Sequence, residues 1–394
     1  MPPLQPALAA TRPLLLIPAL AAALLLSPVA TADLRADDDV PDVRLFTTEE
    51  VDDACQAAVA FLLSHQHEPG FFMEENRRRR DDWFESDGRV RAPRHSAAMT
   101  ALAIMGLSSV GHQPTDPTPE GEALARALDF MVREELQTDE GYYGQRDGSR
   151  MYGHGIIALM LAEMVGMGAT VEQDQLLRDR TQRAIDLILR SQRVDKGDSH
   201  RGGWRYEPHS RDSDISVTVW QLMALRAASN AGFEVPRRAI DEAIDYVKRS
   251  YRSDRDERGR PTQLDRPFSY QAHGGDQQFS TTAAGILSLQ VAGAYDVPEV
   301  LGGANYLLDN PPNPRHRWFF YGCYYYAQGM YQKGGEHAAI ARQHTEETLL
   351  EMQDNDGSWR AREGSEQNEG RIYATSLALL SLSVRHHFLP IYQR

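Results

Sequence analysis

Apolar residues recur along this chain at helical spacing, in segments of two alternating kinds. The first kind is amphipathic: Ala239, Ile240, Ala243 and Ile244 fall at steps of three and four residues, with charged residues between them. This spacing places one apolar stripe on a helix and turns it towards a core. Six segments have this pattern: 49–66, 120–136, 172–192, 236–252, 296–308 and 336–353.

The second kind of segment is apolar or small on all sides and rich in Ala, Ser, Thr and Gly. A helix of this composition is buried, and its small residues let it pack closely against others. Six segments have it: 96–110, 151–165, 213–230, 279–293, 318–332 and 372–388. Six outer helices covering six inner ones predict an all-α fold, an (α/α)6 toroid of six helical hairpins. No alternating pattern competes for a strand, so we expect no sheet.

One short spacing recurs after the outer segments. Glutamine, glycine and an aromatic residue stand at the same intervals three times, and a fourth copy carries an insertion between its Gln and its Gly. The copies are Gln66-x3-Gly70-x-Phe72, Gln137-x3-Gly141-x-Tyr143, Gln192…Gly202-x-Trp204 and Gln353-x3-Gly357-x-Trp359. Recurrence at tens of residues indicates stacked helical units. We expect these residues to join neighbouring units, with Gly in a left-handed turn and Gln bonded to backbone groups at helix ends.

The N-terminus has the pattern of an export signal. Arg12 is its only charge, residues 14–26 form an apolar run, and Ala30-Thr31-Ala32 is an A-x-A cleavage pattern. We therefore predict a signal peptide over 1–32 cleaved after Ala32, an acidic linker over 33–48 and a single toroid domain over 49–394. The mature protein would be periplasmic or secreted, with no membrane span of its own; an uncleaved anchor is the alternative.

The net charge and the two cysteines limit the classes of partner and ligand that the protein is expected to bind. Without residues 1–32 the chain has 41 basic and 56 acidic residues, a net charge of −15. That balance disfavours nucleic acid and anionic membranes as partners. The two cysteines, Cys55 and Cys323, fall in different helical pairs and form no metal-type spacing. The protein partner, if any, is left open by the sequence.

The predicted topology brings the N-termini of all six inner helices to one mouth of the ring, and polar and aromatic residues gather there. Such a set over an apolar funnel is typical of a ligand site. Tyr152, Asp276 and Gln278 belong to the surrounding loops. The substrate-binding candidates are His95, His154, Trp204, Tyr206, His209, His273, Tyr321, Tyr324 and Tyr373.

The repeats resemble those of the terpenoid cyclase and protein prenyltransferase β-subunit superfamily, whose members are α/α toroids. The resemblance covers about residues 49–392 and is strongest at Gly202-Gly203-Trp204 and around Gln353-x3-Gly357-x-Trp359. The chain is similar to the bacterial prenyltransferase and squalene oxidase repeat proteins and to the squalene–hopene cyclases. This resemblance implies an isoprenoid or other long apolar ligand in the central funnel.

An acidic motif follows the Gly-Gly-Trp loop. In squalene–hopene-type cyclases a D-x-D-D-T segment at a similar place protonates an alkene or epoxide, and Asp212-Ser213-Asp214-Ile215-Ser216 resembles it. The resemblance implies Asp214, together with Asp212, as the catalytic acid. Depending on the register, Ile215 or Ser216 stands where the family has a further Asp. Either Asp would also cap the following helix.

The protein prenyltransferases hold Zn²⁺ through Asp, Cys and His at the toroid mouth. Here Phe320-Tyr321-Gly322-Cys323-Tyr324 has Gly322 where a His is wanted. We therefore expect no metal and no cofactor, and we interpret Cys323 as a small core residue. Arg77-Arg78-Arg79-Arg80 lies in the first long loop and is interpreted as solvated, or as a grip for a diphosphate.

Three functions fit this pattern. The first is an enzyme or binding protein for an isoprenoid ligand, with either cyclase-like or prenyltransferase-like chemistry if it is catalytic. The second is a non-catalytic interaction scaffold on the same toroid. The third is a carbohydrate-active enzyme using Glu207, Asp212 or Asp214 as paired carboxylates.

Overall fold

The computed structural model describes residues 46–74, 93–386 and 388–392. The predicted signal peptide, the four arginines at 77–80 and all but the last three residues of the predicted linker lie outside these ranges. The described residues contain thirteen α-helices: α1 Thr48–Ser64, α2 Ser96–Ser109, α3 Pro119–Met131, α4 Tyr143–Asp147, α5 Arg150–Met164, α6 Val171–Gln192, α7 Ile215–Asn230, α8 Arg237–Arg249, α9 Phe279–Val291, α10 Pro298–Asp309, α11 Phe319–Lys333, α12 Gly335–Met352 and α13 Gly370–Leu382.

The six predicted inner helices form a closed ring. Each packs against its two neighbours, in the order α2, α5, α7, α9, α11, α13 and back to α2. Every residue of α9 is buried, as its apolar and small composition requires. The other long helices, α1, α3, α6, α8, α10 and α12, are the outer partners. The predicted all-α toroid is confirmed, and observed helix boundaries differ from the predicted ones by up to six residues.

The recurring glutamines join each loop to the next outer helix. The Gln66 amide donates to Gly70 O at 3.1 Å and to Ala123 O of α3 at 2.7 Å. The amide of Gln353 does the same for Gly357 O at 3.0 Å and Ala54 O of α1 at 2.9 Å. This last contact links the end of the chain to its first helix. Gln137 and Gln192 make the equivalent pair of bonds.

The aromatic residue of each copy is held by an inner helix. The backbone N–H of Trp204 donates to the Thr218 hydroxyl at 3.0 Å, and that of Trp359 donates to the Thr375 hydroxyl at 3.0 Å. Phe72 is bonded to Thr100 in the same way, and Phe268 marks a further, unrecognised copy through Thr282. One hydroxyl near the start of an inner helix therefore fixes each of these loops.

The expectation that the fold has no sheet was wrong in one place. Strands β1 Ser269–Gln271 and β2 Gly274–Gln277 form a small antiparallel hairpin between α8 and α9. Strands of three and four residues are too short for an alternating pattern to stand out in the sequence. The hairpin reaches the mouth of the ring, where the candidate functional site lies.

Both cysteines are buried free thiols. Burial raises the pKa of Cys55 and of Cys323 to about 12, which favours the protonated thiol at neutral pH. Among the described residues, no helix combines the length and apolar character needed to cross a membrane.

Candidate functional site

A cavity of about 670 Å³ opens at one end of the ring. Its wall includes residues at the start of every inner helix, so all six N-termini meet at this end. They are His95, Ser149, Ser216, Gln278, Trp318 and Glu369, which precede or begin α2, α5, α7, α9, α11 and α13. The cavity is therefore the funnel that the helix topology predicts.

Buried acids near this mouth are used to cap inner helices. Asp147 accepts from Ala97 N of α2 at 2.9 Å, and Glu366 accepts from Phe320 N of α11 at 2.9 Å. Helix N-termini carry unpaired N–H groups and a positive partial charge, so carboxylates stabilise them. Burial nevertheless raises the pKa of Glu366 to about 7, because the surrounding protein solvates its charge poorly.

Asp214 and Asp212 have different roles in the structure. Asp214 is fully buried and is the N-cap of α7, and its Oδ1 accepts from Val217 N at 2.8 Å. Its Oδ2 lies 3.4 Å from Nε of Arg205, whose Nη1 lies 3.2 Å from the partly exposed Asp212. Burial raises the pKa of Asp214 to about 6, although the cap and Arg205 oppose that shift. Neither carboxylate is part of the cavity wall.

We expect Asp214→Asn to leave the free energy of unfolding nearly unchanged at pH 7, because Asn keeps the capping oxygen. Asp214→Ala should lower it by about 0.5–2 kcal/mol, because Val217 N loses its partner. Urea unfolding followed by circular dichroism measures both. An Asn variant as unstable as the Ala variant would show that the charge facing Arg205 matters more than the cap.

Four predicted binding residues reach the cavity: His95, Tyr206, Tyr321 and Tyr373. His95 precedes α2 in a left-handed conformation, with φ 67°. The rings of Tyr206 and Tyr321 both lie close to that of Tyr152, at ring-centroid distances of 6.1 and 6.4 Å. These residues come from separate helices and loops, so the ring closure brings together what the sequence keeps far apart.

The other five predicted binding residues lie outside the cavity wall. His154 is buried: its Nδ1 accepts from Tyr143 N at 3.4 Å and its Nε2 donates to Ala184 O at 3.1 Å. It takes the place that threonine has in four other inner helices, and burial lowers its pKa to about 4. Trp204 donates to Ile188 O, and Tyr324 stacks on Trp220 in the core. His209 and His273 are exposed.

The sequence did not identify several wall residues. Tyr270 comes from the unpredicted hairpin, and its hydroxyl is hydrogen-bonded to that of Tyr206. Trp220 belongs to a helix interpreted as core throughout, and Arg150 at the start of α5 and Arg317 just before α11 were not identified as cavity residues. The sequence could have indicated Trp220 as a cavity residue by its position, about one turn into an inner helix. Without a predicted hairpin, the sequence did not indicate that Tyr270 reaches the cavity.

No group of three His, Cys, Asp or Glu side chains suited to a metal ion occurs within residues 46–74, 93–386 and 388–392. Several polar groups near the mouth are bonded to helix starts or to one another: Asp147 and Glu366 accept from backbone N–H groups of inner helices, and Tyr206 is bonded to Tyr270. The structure thus offers a cavity with aromatic walls and capped helix starts as its main chemical features.

Comparison with solved structures shows which known proteins share the fold of this chain. A variant of the type II terpene cyclase MstE from Scytonema, in complex with geranylgeranyl dihydroxybenzoate, aligns with a TM-score of 0.50 at 16% identity, over 87% of this chain and 98% of that one. The chain has the fold of the terpenoid cyclases. The resemblance found in the repeats is thereby confirmed at the level of fold.

A second solved structure shares the same architecture. An inactive variant of the α-1,6-mannanase GH76A of Salegentibacter sp. HEL1_6, in complex with α-1,6-mannotetrose, aligns with a TM-score of 0.53 at 12% identity, over 84% of this chain and 97% of that one. No family model and no curated protein matches the chain. At these identities the likeness concerns the fold alone, and the ligand has to be argued from the cavity.

Proposed function

We propose that this toroid binds an elongated, mainly apolar ligand of the isoprenoid class in its central cavity. The observation that carries the proposal is the wall of the cavity, which aromatic rings from several helices line together with aliphatic side chains. A site of this kind gains its affinity from apolar area and uses few polar groups for orientation.

The tyrosine hydroxyls on the wall are largely used within the protein. Tyr206 and Tyr270 bond to each other, Tyr321 donates to Ser216 O at 2.9 Å, and Tyr373 donates to Glu366 Oε1 at 3.0 Å. These residues therefore offer ring surfaces to a ligand more than hydrogen bonds. Ring faces favour an apolar chain through dispersion contacts.

The cavity becomes more apolar with depth. Leu102 and Ile156 each lie six residues past the first residue of their helices, about 9 Å along the axis at 1.5 Å per residue. Both line the cavity, together with Trp220 of α7. Among the charged residues of the wall, Arg150, Arg317 and Glu369 stand at helix starts, and Asp276 lies in strand β2. This gradient supports a ligand with a polar end at the mouth and an apolar chain inside.

A carbohydrate ligand is the second candidate. Asp276 and Glu369 line the mouth, and the mannanase has the same fold. Against it, the carboxylates proposed from the sequence are committed elsewhere: Glu207 pairs with Arg150, and Asp212 and Asp214 pair with Arg205.

A non-catalytic scaffold that binds a peptide at the mouth is the third candidate, and it would not use the apolar interior of the cavity. Export of the protein, predicted from residues 1–32, is part of the proposal.

The test is equilibrium binding of radiolabelled geranylgeraniol, with α-1,6-mannotetraose as the competing ligand class. We expect saturable binding of the isoprenoid. Ile156→Trp should weaken that binding at least about tenfold, because the larger side chain fills space in the cavity. Val171→Trp is the matched control, since Val171 lies on the outer helix α6 with 69% of its surface exposed. Binding of mannotetraose without binding of geranylgeraniol would overturn the proposal in favour of a carbohydrate site.

A further inference from the structure

We propose that the β1–β2 hairpin is a gate at the mouth of the cavity, and that the hydrogen bond between Tyr270 and Tyr206 is the latch that keeps this gate closed. The inference goes beyond the proposed function, because it concerns access to the cavity and not the class of ligand. The hairpin is attached to the ring firmly at its base and weakly beyond it.

The base of the hairpin is tied to the helical scaffold. Phe268 N donates to the Thr282 hydroxyl of α9 at 3.1 Å, and Ser269 N donates to Ser250 O at 2.9 Å. On the return side, Gln278 is the N-cap of α9. The chain therefore enters and leaves the hairpin at fixed positions.

Beyond the base, side chains join the hairpin to the loop before α7. The Tyr270 hydroxyl is bonded to that of Tyr206, and Gln271 Nε2 donates to Ser213 O at 3.3 Å. A hydrogen bond between neutral groups contributes a factor of about 2 to 10 to an equilibrium. Contacts of this size hold the hairpin in place and still let it open.

The loop that carries Tyr206 is the fixed side of the latch. Tyr206 O accepts from Met151 N at the start of α5 at 2.9 Å. The Arg205 guanidinium lies 4.9 Å from the ring centroid of Tyr206 and 5.5 Å from that of Tyr270, and it pairs with the buried Asp214. Cation–π contacts with both rings favour the closed arrangement. The hairpin is therefore the part that moves.

Movement of the hairpin would change the cavity itself. Tyr270, Gly275 and Asp276 belong to its two paired strands, and all three line the cavity. If the pair of strands swings outward, these residues leave the wall together and the mouth widens. When the hairpin closes again, it shields an apolar ligand from water, as active-site loops do in many enzymes.

Ala272 offers a direct measure of opening. It lies in the turn of the hairpin with 1% of its surface exposed, although the next residue, His273, is exposed. A thiol introduced by Ala272→Cys should react with an aromatic disulfide reagent only when the hairpin opens. We expect Tyr206→Phe to speed this reaction about 2- to 10-fold, because phenylalanine keeps the ring and loses the hydrogen bond. The buried thiols of Cys55 and Cys323 are the internal control, and their reaction should not change.

Tyr143→Phe is the matched variant. It also removes a tyrosine hydrogen bond, the one that Tyr143 donates to Met131 O at 3.1 Å, but it does so away from the hairpin. We expect no change in the reaction at position 272. An unchanged rate there in a folded Tyr206→Phe variant, or an equal rise in the Tyr143→Phe variant, would overturn the gate. This test uses the free protein, so its result does not depend on the ligand.

A second measurement rests on the proposed function and uses the kinetics of geranylgeraniol binding. A latch that is closed in both the free and the loaded protein slows entry and exit alike. Tyr206→Phe should therefore raise the association and dissociation rate constants by the same factor, about 2 to 10, and leave Kd nearly unchanged. Faster dissociation with unchanged association would mean a lost ligand contact and would overturn the gate. If the wild-type protein binds no geranylgeraniol, the proposed function fails, and the thiol reaction still decides on the gate.

Discussion

Gly357→Ala is expected to lower the melting temperature by about 4 °C or more, corresponding to a loss of about 3 kcal/mol or more in the free energy of unfolding. Gly357 has φ +84°, a left-handed conformation that is unfavourable for alanine. A Cβ at this position would also overlap the carbonyl oxygen of Ala57 in α1. The substitution would therefore push apart the last loop and the first outer helix, where the ring closes.

Gly232→Ala separates the two effects. Gly232 follows α7 with φ +85°, nearly the same conformation, but no atom lies within 4 Å of an added Cβ. We expect this control to cost only the conformational term, about 1–2 kcal/mol. Thermal unfolding of both variants measures the difference. Equal losses of stability in the two variants would mean that the overlap of the added Cβ with Ala57 costs nothing.

The architecture could be predicted because two periodic signals agree. The alternation of amphipathic and all-apolar helices distinguishes the outer from the inner layer, and the Gln/Gly/aromatic spacing identifies the junctions. Gln353 illustrates the second signal. It is bonded to Gly357 of its own loop and to Ala54 of α1, just as each earlier glutamine is bonded to the glycine of its own loop and to the next outer helix.

His154 shows where single-residue chemistry misleads. A histidine near a mouth suggests a ligand group, yet its ring holds the Tyr143 loop just as Thr218 holds the Trp204 loop. A comparison of the inner helices at this one position, with Thr in four of them, could have indicated the structural role. Histidine replaces threonine there because its ring nitrogens can also accept and donate hydrogen bonds.

The carboxylates illustrate a second limit. Helix starts and ligand sites both attract acids, and here the starts of the inner helices and the cavity lie at the same end of the ring. Asp147, Asp214 and Glu366 are all bonded to backbone N–H groups of inner helices. Sequence reasoning cannot separate a cap from a catalytic acid, because the separation depends on whether the carboxylate faces the cavity. Tyr270 was missed for a related reason: a tertiary contact with Tyr206 brings it to the wall.

The opposite end of the ring contains an acid of a different kind. Glu163 lies in the last turn of α5, is buried, and accepts from Ile391 N at 3.2 Å. Burial raises its pKa from 4.5 to about 8. The negative end of the α5 dipole acts in the same direction. The folded protein therefore holds a proton on Glu163 at a pH where the unfolded chain has lost it.

Stability should consequently fall as pH rises from about 4.5 to about 8, with the favourable contribution fully present below this window and lost above it. Glu163→Gln keeps an oxygen for Ile391 N but never ionises. We expect the variant to match the wild type near pH 5 and to exceed its free energy of unfolding at pH 9 by on the order of 4 kcal/mol, from about 1.4 kcal/mol per pKa unit. Urea unfolding at pH 5, 7 and 9 measures the difference, with Glu135→Gln, an exposed position, as the control. A difference between Glu163→Gln and wild type that stays constant across this range would show that Glu163 is not protonated in the folded protein.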